Sequence, residues 1–201
     1  MVLHFFFALI LWNRSLAPAR SLPTLAAVIL VLRVVGLLNA AVWLGAAIFF
    51  TFVAAPAFFS PEMSHLLGRA YSGAAAQIVV KRYFIFHLVC SAVAIAQLVL
   101  EWLYCGKPLH RWLLYMLLGI LGAALLGGFV MTPKMKQLHY VMYARGVTPA
   151  QQAQAKSTFG LLHGLSQVGN LAVLAGLLVY FWQINNPNTP MRFFSATKFR
   201  S

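Results

Sequence analysis

Residues 112–131 read WLLYMLLGILGAALLGGFVM, a run of 20 residues that contains no Asp, Glu, Lys or Arg. A membrane-spanning α-helix needs about 20 consecutive apolar residues, because the hydrocarbon core is about 30 Å thick and a helix rises about 1.5 Å per residue. Three further runs meet the same criterion, and none has a charged residue in its interior. The four predicted spans are 34–55, 83–103, 112–131 and 159–182.

The composition favours a membrane over water as the surrounding medium. Of the 201 residues, 62% are hydrophobic and 8% are charged, whereas soluble domains carry about 25% charged residues. Fifteen Lys and Arg face two acidic residues, Glu62 and Glu101, which gives a net charge of +13. The cations are scattered at the ends of the apolar runs, where they favour anionic lipid headgroups. A nucleic-acid site would gather them on one polar face, so we expect membrane lipids as partners and no nucleic acid.

The two ends of the chain differ from its middle. Residues 1–32 are predicted to be an apolar or interfacial segment, because the apolar stretch 1–12 is too short to span and its cations follow it, unlike those of a signal peptide. Residues 33–184 form the predicted four-helix transmembrane domain, and residues 185–201 form a mobile basic tail. The cations nearest the first span favour a multi-pass cell-membrane protein with both termini in the cytoplasm.

An internal repeat relates the two halves of the transmembrane domain. Gly45 lies eleven residues before Pro56, and Gly122 lies eleven residues before Pro133, so the two pairs are offset by 77 residues. Both prolines mark helix ends, and each half contains two spans, so both halves insert in the same sense. The sequence therefore predicts an all-α integral membrane protein, a four-transmembrane-helix bundle made of two parallel-repeat helical hairpins. The repeats cover about 33–103 and 110–182.

Each predicted hairpin has a long connection between its spans, at residues 57–82 and 134–158. Ser60-Pro61 and Thr148-Pro149 both have the pattern of an N-cap followed by proline at the first helical position. We therefore expect amphipathic helix within both connections, which lie on the same side of the membrane.

Small residues recur at four-residue spacing along the predicted spans. Such spacing lets helix backbones approach closely in lipid. We interpret the glycines as contacts inside the bundle, and a dimerisation face in a homo-oligomer or larger membrane complex is the alternative. The glycines singled out are Gly45, Gly119, Gly127, Gly160 and Gly164.

Polar side chains within the spans are expensive in lipid and are expected to face the protein interior. By the repeat, with a one-residue slip, His87 and His163 match and occupy equivalent depths, about four residues or roughly 6 Å into their helices. The candidate polar cluster, with a ligand-binding or structural role, comprises His87, Cys90 and Ser91 on the second span and His163, Ser166, Gln167 and Asn170 on the fourth.

Three interpretations of the two histidines compete. In the favoured one, both are hydrogen-bonded near the interface and lock the hairpins together. In the second, they handle a ligand or a proton in a shallow cavity. In the third, they are axial ligands of a haem, since bis-histidine sites occur in helical membrane bundles.

Other chemistry has little support in the sequence. Cys90 is interpreted as a small buried hydrophobe, and the His and Cys residues are too few for a metal site. The sequence contains no Walker loop, GxSxG, HExxH or pair of carboxylates. We therefore expect no enzymatic activity and no cofactor, with haem as the alternative.

The run HGLSQVGNL at residues 163–171, preceded by Phe159, resembles the signature near the last helix of the transmembrane-protein-205-like family, also called domain of unknown function 4149. Residues 43–53 and 83–87 are similar to the same family, as is the end of the third span at 131–133. The resemblance covers about 33–182 and implies a four-span membrane protein. It implies no particular chemistry for the two histidines.

The leading hypothesis is a non-enzymatic membrane protein, either a scaffold or a binder of a small ligand or lipid, with a cavity between the hairpins and His87 and His163 near its mouth. The first alternative is a haem-binding electron-transfer subunit that uses the same histidines. The second is a small transporter or channel, which requires a continuous polar path. The polar residues of the fourth span stop after Asn170, which argues against that alternative.

Overall fold

The computed structural model describes residues 22–105 and 110–186, and no strand occurs among them. Of the predicted apolar or interfacial segment 1–32, residues 1–21 lie outside the described residues, and residues 22–32 belong to a helix. Residues 187–201 of the predicted basic tail 185–201 also lie outside the described residues. The α-helices are α1 (Leu22–Phe49), α2 (Ala55–Phe58), α3 (Pro61–Cys105), α4 (Arg111–Leu126), α5 (Thr132–Tyr143) and α6 (Pro149–Asn185). π-helical turns at Phe50–Ala54 and Gly127–Met131 join α1 to α2 and α4 to α5.

The described residues form four helical rods that are long and apolar enough to cross a membrane. Each predicted span lies within one of these rods, so the predicted all-α, four-helix membrane bundle is confirmed. The rods are Ala27–Phe58, Pro61–Leu103, Arg111–Tyr143 and Pro149–Asn185.

The connections within the hairpins are much shorter than predicted. Most of 57–82 and 134–158 is helical, and only residues 59–60 and 144–148 lie between helices. The helix that was predicted within both connections is present. The predicted spans were shorter than the helices because the apolar runs locate only the hydrocarbon-spanning part of a helix, and polar helical extensions continue beyond it. α3 is interrupted at Gly68, whose φ of 73° and ψ of 155° are not helical. The part of α3 after this kink, residues 69–105, is about 55 Å long, which is nearly twice the hydrocarbon thickness.

Both predicted N-caps are present at the start of a long helix. The Thr148 hydroxyl accepts a hydrogen bond from the Gln151 backbone N–H, and the Gln151 side-chain oxygen accepts one from the Thr148 backbone N–H, which is a complete capping box. The Ser60 hydroxyl likewise accepts from the Met63 N–H at 3.2 Å. The cap and the adjacent proline therefore fix where α3 and α6 begin.

The four rods form a closed ring. α1 packs against α3 and α6, α3 packs against α4, and α4 and α5 pack against α6. The core lies inside the ring, where small alanines leave room for Trp43, whose side chain is 0% exposed. Large apolar side chains such as Phe129 and Leu161 point outward and are exposed, as expected for faces that contact lipid.

The two π-helical turns stand at the repeat offset of 77 residues, and each is followed at once by a helix with proline in its first turn. Proline lacks a backbone N–H and its ring clashes with the carbonyl four residues earlier, so the preceding turn widens. This shared distortion accords with the predicted repeat. The repeat itself stays a prediction.

Candidate functional site

A buried polar centre lies where α1, α3 and α6 meet, and His87 is one of its members. Its side chain is 3% exposed. The indole Nε1 of Trp43 on α1 donates a hydrogen bond to His87 Nδ1 at 2.9 Å. Indole is a donor only, so it requires a ring nitrogen that carries no proton. In the neutral ring the proton is therefore on Nε2, and Nε2 is a hydrogen-bond donor.

The Nε2 atom of His87 is buried and has no hydrogen-bond partner among the described residues. Rings surround the imidazole: the Tyr83 ring stands edge-on at 4.3 Å between centroids, Trp43 at 5.7 Å and Phe86 at 6.5 Å. An unpaired buried donor costs about 1–3 kcal/mol. His87 is thus a buried donor, enclosed by aromatic rings, that has no acceptor among the described residues.

Asn170 connects the two hairpins beside His87. Its amide nitrogen donates to the Thr51 hydroxyl at 2.7 Å, and its amide oxygen accepts from the Tyr83 hydroxyl at 3.3 Å. The Thr51 hydroxyl in turn donates to the Ala47 carbonyl at 2.7 Å. One amide on α6 therefore bridges α3 and the π-helical turn after α1. The prediction that the two histidines lock the hairpins together was wrong, because His87 bonds Trp43 within the first hairpin and His163 bonds Gln167 within α6, whereas Asn170 makes the bonds between hairpins.

The first π-helical turn also contacts residues of this centre. The Phe50 ring stacks on the Tyr83 ring with 3.9 Å between centroids, and Thr51 supplies the hydroxyl that Asn170 bonds. In the second turn the Thr132 hydroxyl donates to the Gly127 carbonyl at 2.7 Å. A threonine hydroxyl thus donates to a backbone carbonyl at each π-helical turn. The Thr51 hydroxyl also accepts the hydrogen bond from Asn170 of α6.

Cys90 and Ser91 continue the same face of α3. The Ser91 hydroxyl is 0% exposed and donates to the His87 carbonyl at 2.8 Å, within its own helix. The Cys90 side chain belongs to the apolar core, and its carbonyl accepts from the Asn39 amide at 3.0 Å. Neither side chain belongs to a candidate metal site, because the described residues contain no group of three or more His, Cys, Asp or Glu that could hold a metal ion.

His163 does not join the centre. Its ring contacts Phe59 and Phe159, with centroids at 5.9 and 6.1 Å, and its Nε2 pairs with the Gln167 amide at 3.2 Å on the exposed side of α6. The Ser166 hydroxyl donates to the Leu162 carbonyl at 2.9 Å. Of the residues predicted on the fourth span, only Asn170 reaches the buried centre.

The predicted equal depth of the two histidines was wrong. Tyr83 and Asn170 are hydrogen-bonded and so lie at one level, while α3 and α6 run in the same direction. His87 follows Tyr83 by four residues and His163 precedes Asn170 by seven, so their levels differ by about 16 Å. The predicted depth was counted from helix starts about four residues before each histidine. The helices begin at Pro61 and Pro149 instead, so that count does not give the depth.

A bis-histidine haem site does not fit this arrangement. An axial ligand must present a ring-nitrogen lone pair to the iron. The Nδ1 lone pair of His87 is engaged by Trp43, and Nε2 then carries the proton. The second proposed ligand, His163, lies on the exposed side of another helix at a different level.

A second polar centre, which the sequence analysis missed, lies farther along α3. Gln97 is 7% exposed, and its amide nitrogen donates to Glu101 Oε1 at 3.1 Å. Tyr180 of α6 is 2% exposed, and its hydroxyl is buried without a hydrogen-bond partner among the described residues. The stripe was detectable, because Tyr83, His87, Ser91, Gln97 and Glu101 recur near helical spacing on α3.

Comparison with known families places this geometry in context. The family model for the domain of unknown function (DUF4149) matches residues 38–144, more than half of the chain. The chain belongs to the DUF4149 family. The resemblance inferred from the sequence is therefore confirmed. No curated protein matches the chain, and no solved structure matches it.

The DUF4149 match covers only part of the described site. It includes Trp43, His87 and both π-helical turns, and it ends before α6. The run at 163–171 that carried most of the resemblance therefore lies outside the matched residues. Within the match, α1 and α3 supply the core of both polar centres.

The candidate packing glycines divide into two groups. A Cβ added at Gly127 would collide with the Phe84 ring, so Gly127 permits a close contact inside the bundle. The other four glycines have open space where a Cβ would stand: Gly45, Gly119, Gly160 and Gly164. The interpretation as contacts within the bundle was wrong for these four, because spacing shows which residues share a helix face but not which way the face points.

Proposed function

We propose that this multi-pass membrane protein is a non-enzymatic binder of a small apolar ligand, held by a hydrogen bond from His87 Nε2. The observation that carries the proposal is the buried, unpartnered Nε2 donor, whose proton is assigned by the Trp43 bond to Nδ1. A ligand oxygen at Nε2 would satisfy the donor and recover its desolvation cost.

The surroundings of His87 define the class of ligand. Aromatic rings on three sides favour an apolar body, and the single N–H donor requires one acceptor oxygen. A carbonyl or ester on a lipid-soluble molecule meets both requirements. Phe50, which stacks on Tyr83, belongs to a π-helical turn, and such turns are frequent at functional sites.

The direct test is retention of a chosen probe by the purified protein. Native mass spectrometry in detergent compares methyl oleate, which has an ester oxygen, with 1-octadecene, which has none. We expect one methyl oleate per chain and no retained 1-octadecene. Equal retention of both probes would show that no hydrogen bond at His87 selects the ligand.

Matched variants separate a role in binding from a role in folding. His87→Phe removes the donor and is expected to weaken methyl oleate retention by at least about tenfold. His87→Gln keeps an acceptor for Trp43 and a donor for the ligand, so it retains most of the binding. His163→Phe serves as the control and leaves retention unchanged. Loss of binding in His163→Phe would favour the predicted shared cavity instead.

A transporter is the second candidate, and one observation favours it. The polar stripe of α3 runs from Tyr83 through His87 to Glu101, a rise of about 27 Å over 18 residues, close to the hydrocarbon thickness of about 30 Å. Polar groups therefore continue along α3 through most of the hydrocarbon thickness, although those of the predicted cluster on the fourth span end at Asn170. Uptake of a small polar solute into proteoliposomes, abolished by Glu101→Gln, would move this candidate ahead of ligand binding.

Lipids complete the proposed setting. The outward faces carry exposed apolar side chains such as Phe129, which the acyl chains cover. The flanking Lys and Arg contact anionic headgroups. We retain the proposed cell-membrane location with both termini in the cytoplasm, which cysteine labelling from either side of intact cells would test.

A further inference from the structure

Two aromatic rings lead from the surface of the bundle to His87. The Tyr83 ring lies nearest to the imidazole, at 4.3 Å between centroids. The Phe50 ring stacks on Tyr83 at 3.9 Å, with 16° between the ring planes. His87 is buried, whereas Tyr83 and Phe50 are both half-buried. The two rings therefore form successive layers between the buried histidine and the outside of the bundle.

Of the three rings around His87, Tyr83 is the one that the core does not hold. Trp43 is part of the buried apolar core, and Phe86 packs against that core. Neither Tyr83 nor the first π-helical turn, Phe50–Ala54, contributes to the core among the described residues. A ring in a close-packed core cannot move without opening a void. Tyr83 and the turn, in contrast, can move while the core stays intact.

One amide on α6 holds both parts of this closure. The Asn170 nitrogen donates to the Thr51 hydroxyl of the turn at 2.7 Å. The Asn170 oxygen accepts from the Tyr83 hydroxyl at 3.3 Å, which is long for a hydrogen bond between two oxygens. Asn170 therefore holds the turn closely against α6 and holds the Tyr83 ring more weakly beside His87.

The second π-helical turn is packed where the first is not. Its first residue, Gly127, stands 77 residues after Phe50 and is buried. A Cβ added at Gly127 would collide with the Phe84 ring, so this turn and α3 are in tight contact. Tyr83 and Phe84 are adjacent on α3 and contact the two different turns, but the first turn contains no buried residue. Movement is therefore expected at the first turn and not at the second.

We propose that the first π-helical turn is the gate of the His87 site. The imidazole Nε2 is enclosed and reaches no acceptor among the described residues, so an apolar ligand enters only when a ring moves. Outward movement of Phe50 releases the Tyr83 ring, which swings away from His87, and the apolar body of the ligand takes its place. This gate rests on the proposed binding of an apolar ligand at His87 and adds how that binding is controlled.

The gate opens toward lipid. Phe52 and Val53 belong to the same turn, and their apolar side chains are 62% and 52% exposed. Such side chains on the outside of a membrane bundle contact acyl chains, so a lipid-soluble molecule reaches this turn from the bilayer. The route from the lipid then passes Phe50 and Tyr83 before it reaches His87.

Exchange of bound methyl oleate measures the gate. Protein loaded with methyl oleate is mixed with an excess of deuterated methyl oleate, and native mass spectrometry follows the replacement with time. Phe50→Ala is expected to speed the exchange by at least about tenfold, because the stack on Tyr83 is lost. Phe129→Ala makes the same change at an exposed position of the second π-helical turn and leaves the rate unchanged. Equal rates in wild type and Phe50→Ala would overturn the gate.

Locking the turn to α6 is expected to have the opposite effect. In a background of Cys90→Ala and Cys105→Ala, Thr51→Cys and Asn170→Cys are joined by a short bis-thiol reagent that a reductant removes. The crosslink is expected to slow methyl oleate exchange by at least about tenfold, and reduction restores the rate measured before crosslinking. Exchange at one rate with and without the crosslink would refute the role of the turn.

A third measurement needs no ligand. In the same cysteine-free background, His87→Cys is alkylated with N-ethylmaleimide, and Phe50→Ala is expected to raise the rate by at least about tenfold, whereas Phe129→Ala does not. An alkylation rate that does not respond to Phe50→Ala refutes the gate. A response to Phe50→Ala in a protein that retains no methyl oleate would support the gate and contradict the proposed ligand. Retention of methyl oleate without any response to Phe50→Ala would support the ligand and contradict the gate.

Discussion

The indole Nε1 of Trp43 donates to Nδ1 of His87 across 2.9 Å, and this bond joins α1 to α3 in the interior of the bundle. It fixes the tautomer of the histidine, since indole can bond only an unprotonated nitrogen. Protonation of His87 would place hydrogens on both ring nitrogens and break the bond. The neutral histidine is therefore part of the packed state of the first hairpin.

The first prediction concerns this bond. Trp43→Phe removes the donor and leaves Nδ1 of His87 buried without a partner, so the free energy of unfolding is expected to fall by about 1–3 kcal/mol. Trp112→Phe is the matched control, because Trp112 is 58% exposed. Thermal unfolding in detergent measures both. Equal decreases in the free energy of unfolding of the two variants would mean that the effect comes from the smaller ring and not from loss of the buried hydrogen bond.

The second prediction concerns the bridge between the hairpins. Asn170→Ala removes the bonds to Thr51 and Tyr83 and is expected to lower the free energy of unfolding by about 1–2 kcal/mol. Gln167→Ala, on the exposed side of α6, is the control and is expected to leave the free energy of unfolding nearly unchanged. A double-mutant cycle with Thr51→Val isolates the bond and is expected to give a coupling energy of about 0.5–2 kcal/mol. A coupling energy of zero would contradict the bridge.

The third prediction compares two glycines of the same rod. Gly127→Ala forces the Phe84 ring to move and is expected to cost about 1–3 kcal/mol. Gly119→Ala meets open space and is expected to change stability by less than about 0.5 kcal/mol. Chemical unfolding of both variants in mixed micelles provides the comparison. A larger loss for Gly119→Ala would mean that this face packs against another helix.

The sequence predicts the architecture well because lipid imposes simple requirements. Apolar runs of about 20 residues locate four spans, and a cap followed by proline locates the starts of α3 and α6 at Ser60-Pro61 and Thr148-Pro149. The ends of the apolar runs did not locate the ends of the helices. Polar helical extensions obey no hydropathy rule, so the long connections that were predicted are mostly helix.

The candidate site was predicted only in part. Helical spacing grouped His163 with Asn170 on one face of α6, but in the structure only Asn170 bonds α3 and the π-helical turn after α1, whereas His163 bonds Gln167 of its own helix. Trp43 was not predicted to belong to the polar site, because its single N–H is part of a large apolar ring. Its role follows from its contact with His87, which depends on the packing of two helices and is not encoded in either one alone.

The most direct test of the account is which side chains of α1, α3 and α6 face each other. In a background of Cys90→Ala and Cys105→Ala, the pairs Thr51→Cys with Asn170→Cys and His87→Cys with His163→Cys are treated in membranes with a short bis-thiol reagent. The account predicts efficient crosslinking of the first pair and none of the second. Crosslinking of the histidine positions without crosslinking of positions 51 and 170 would contradict it.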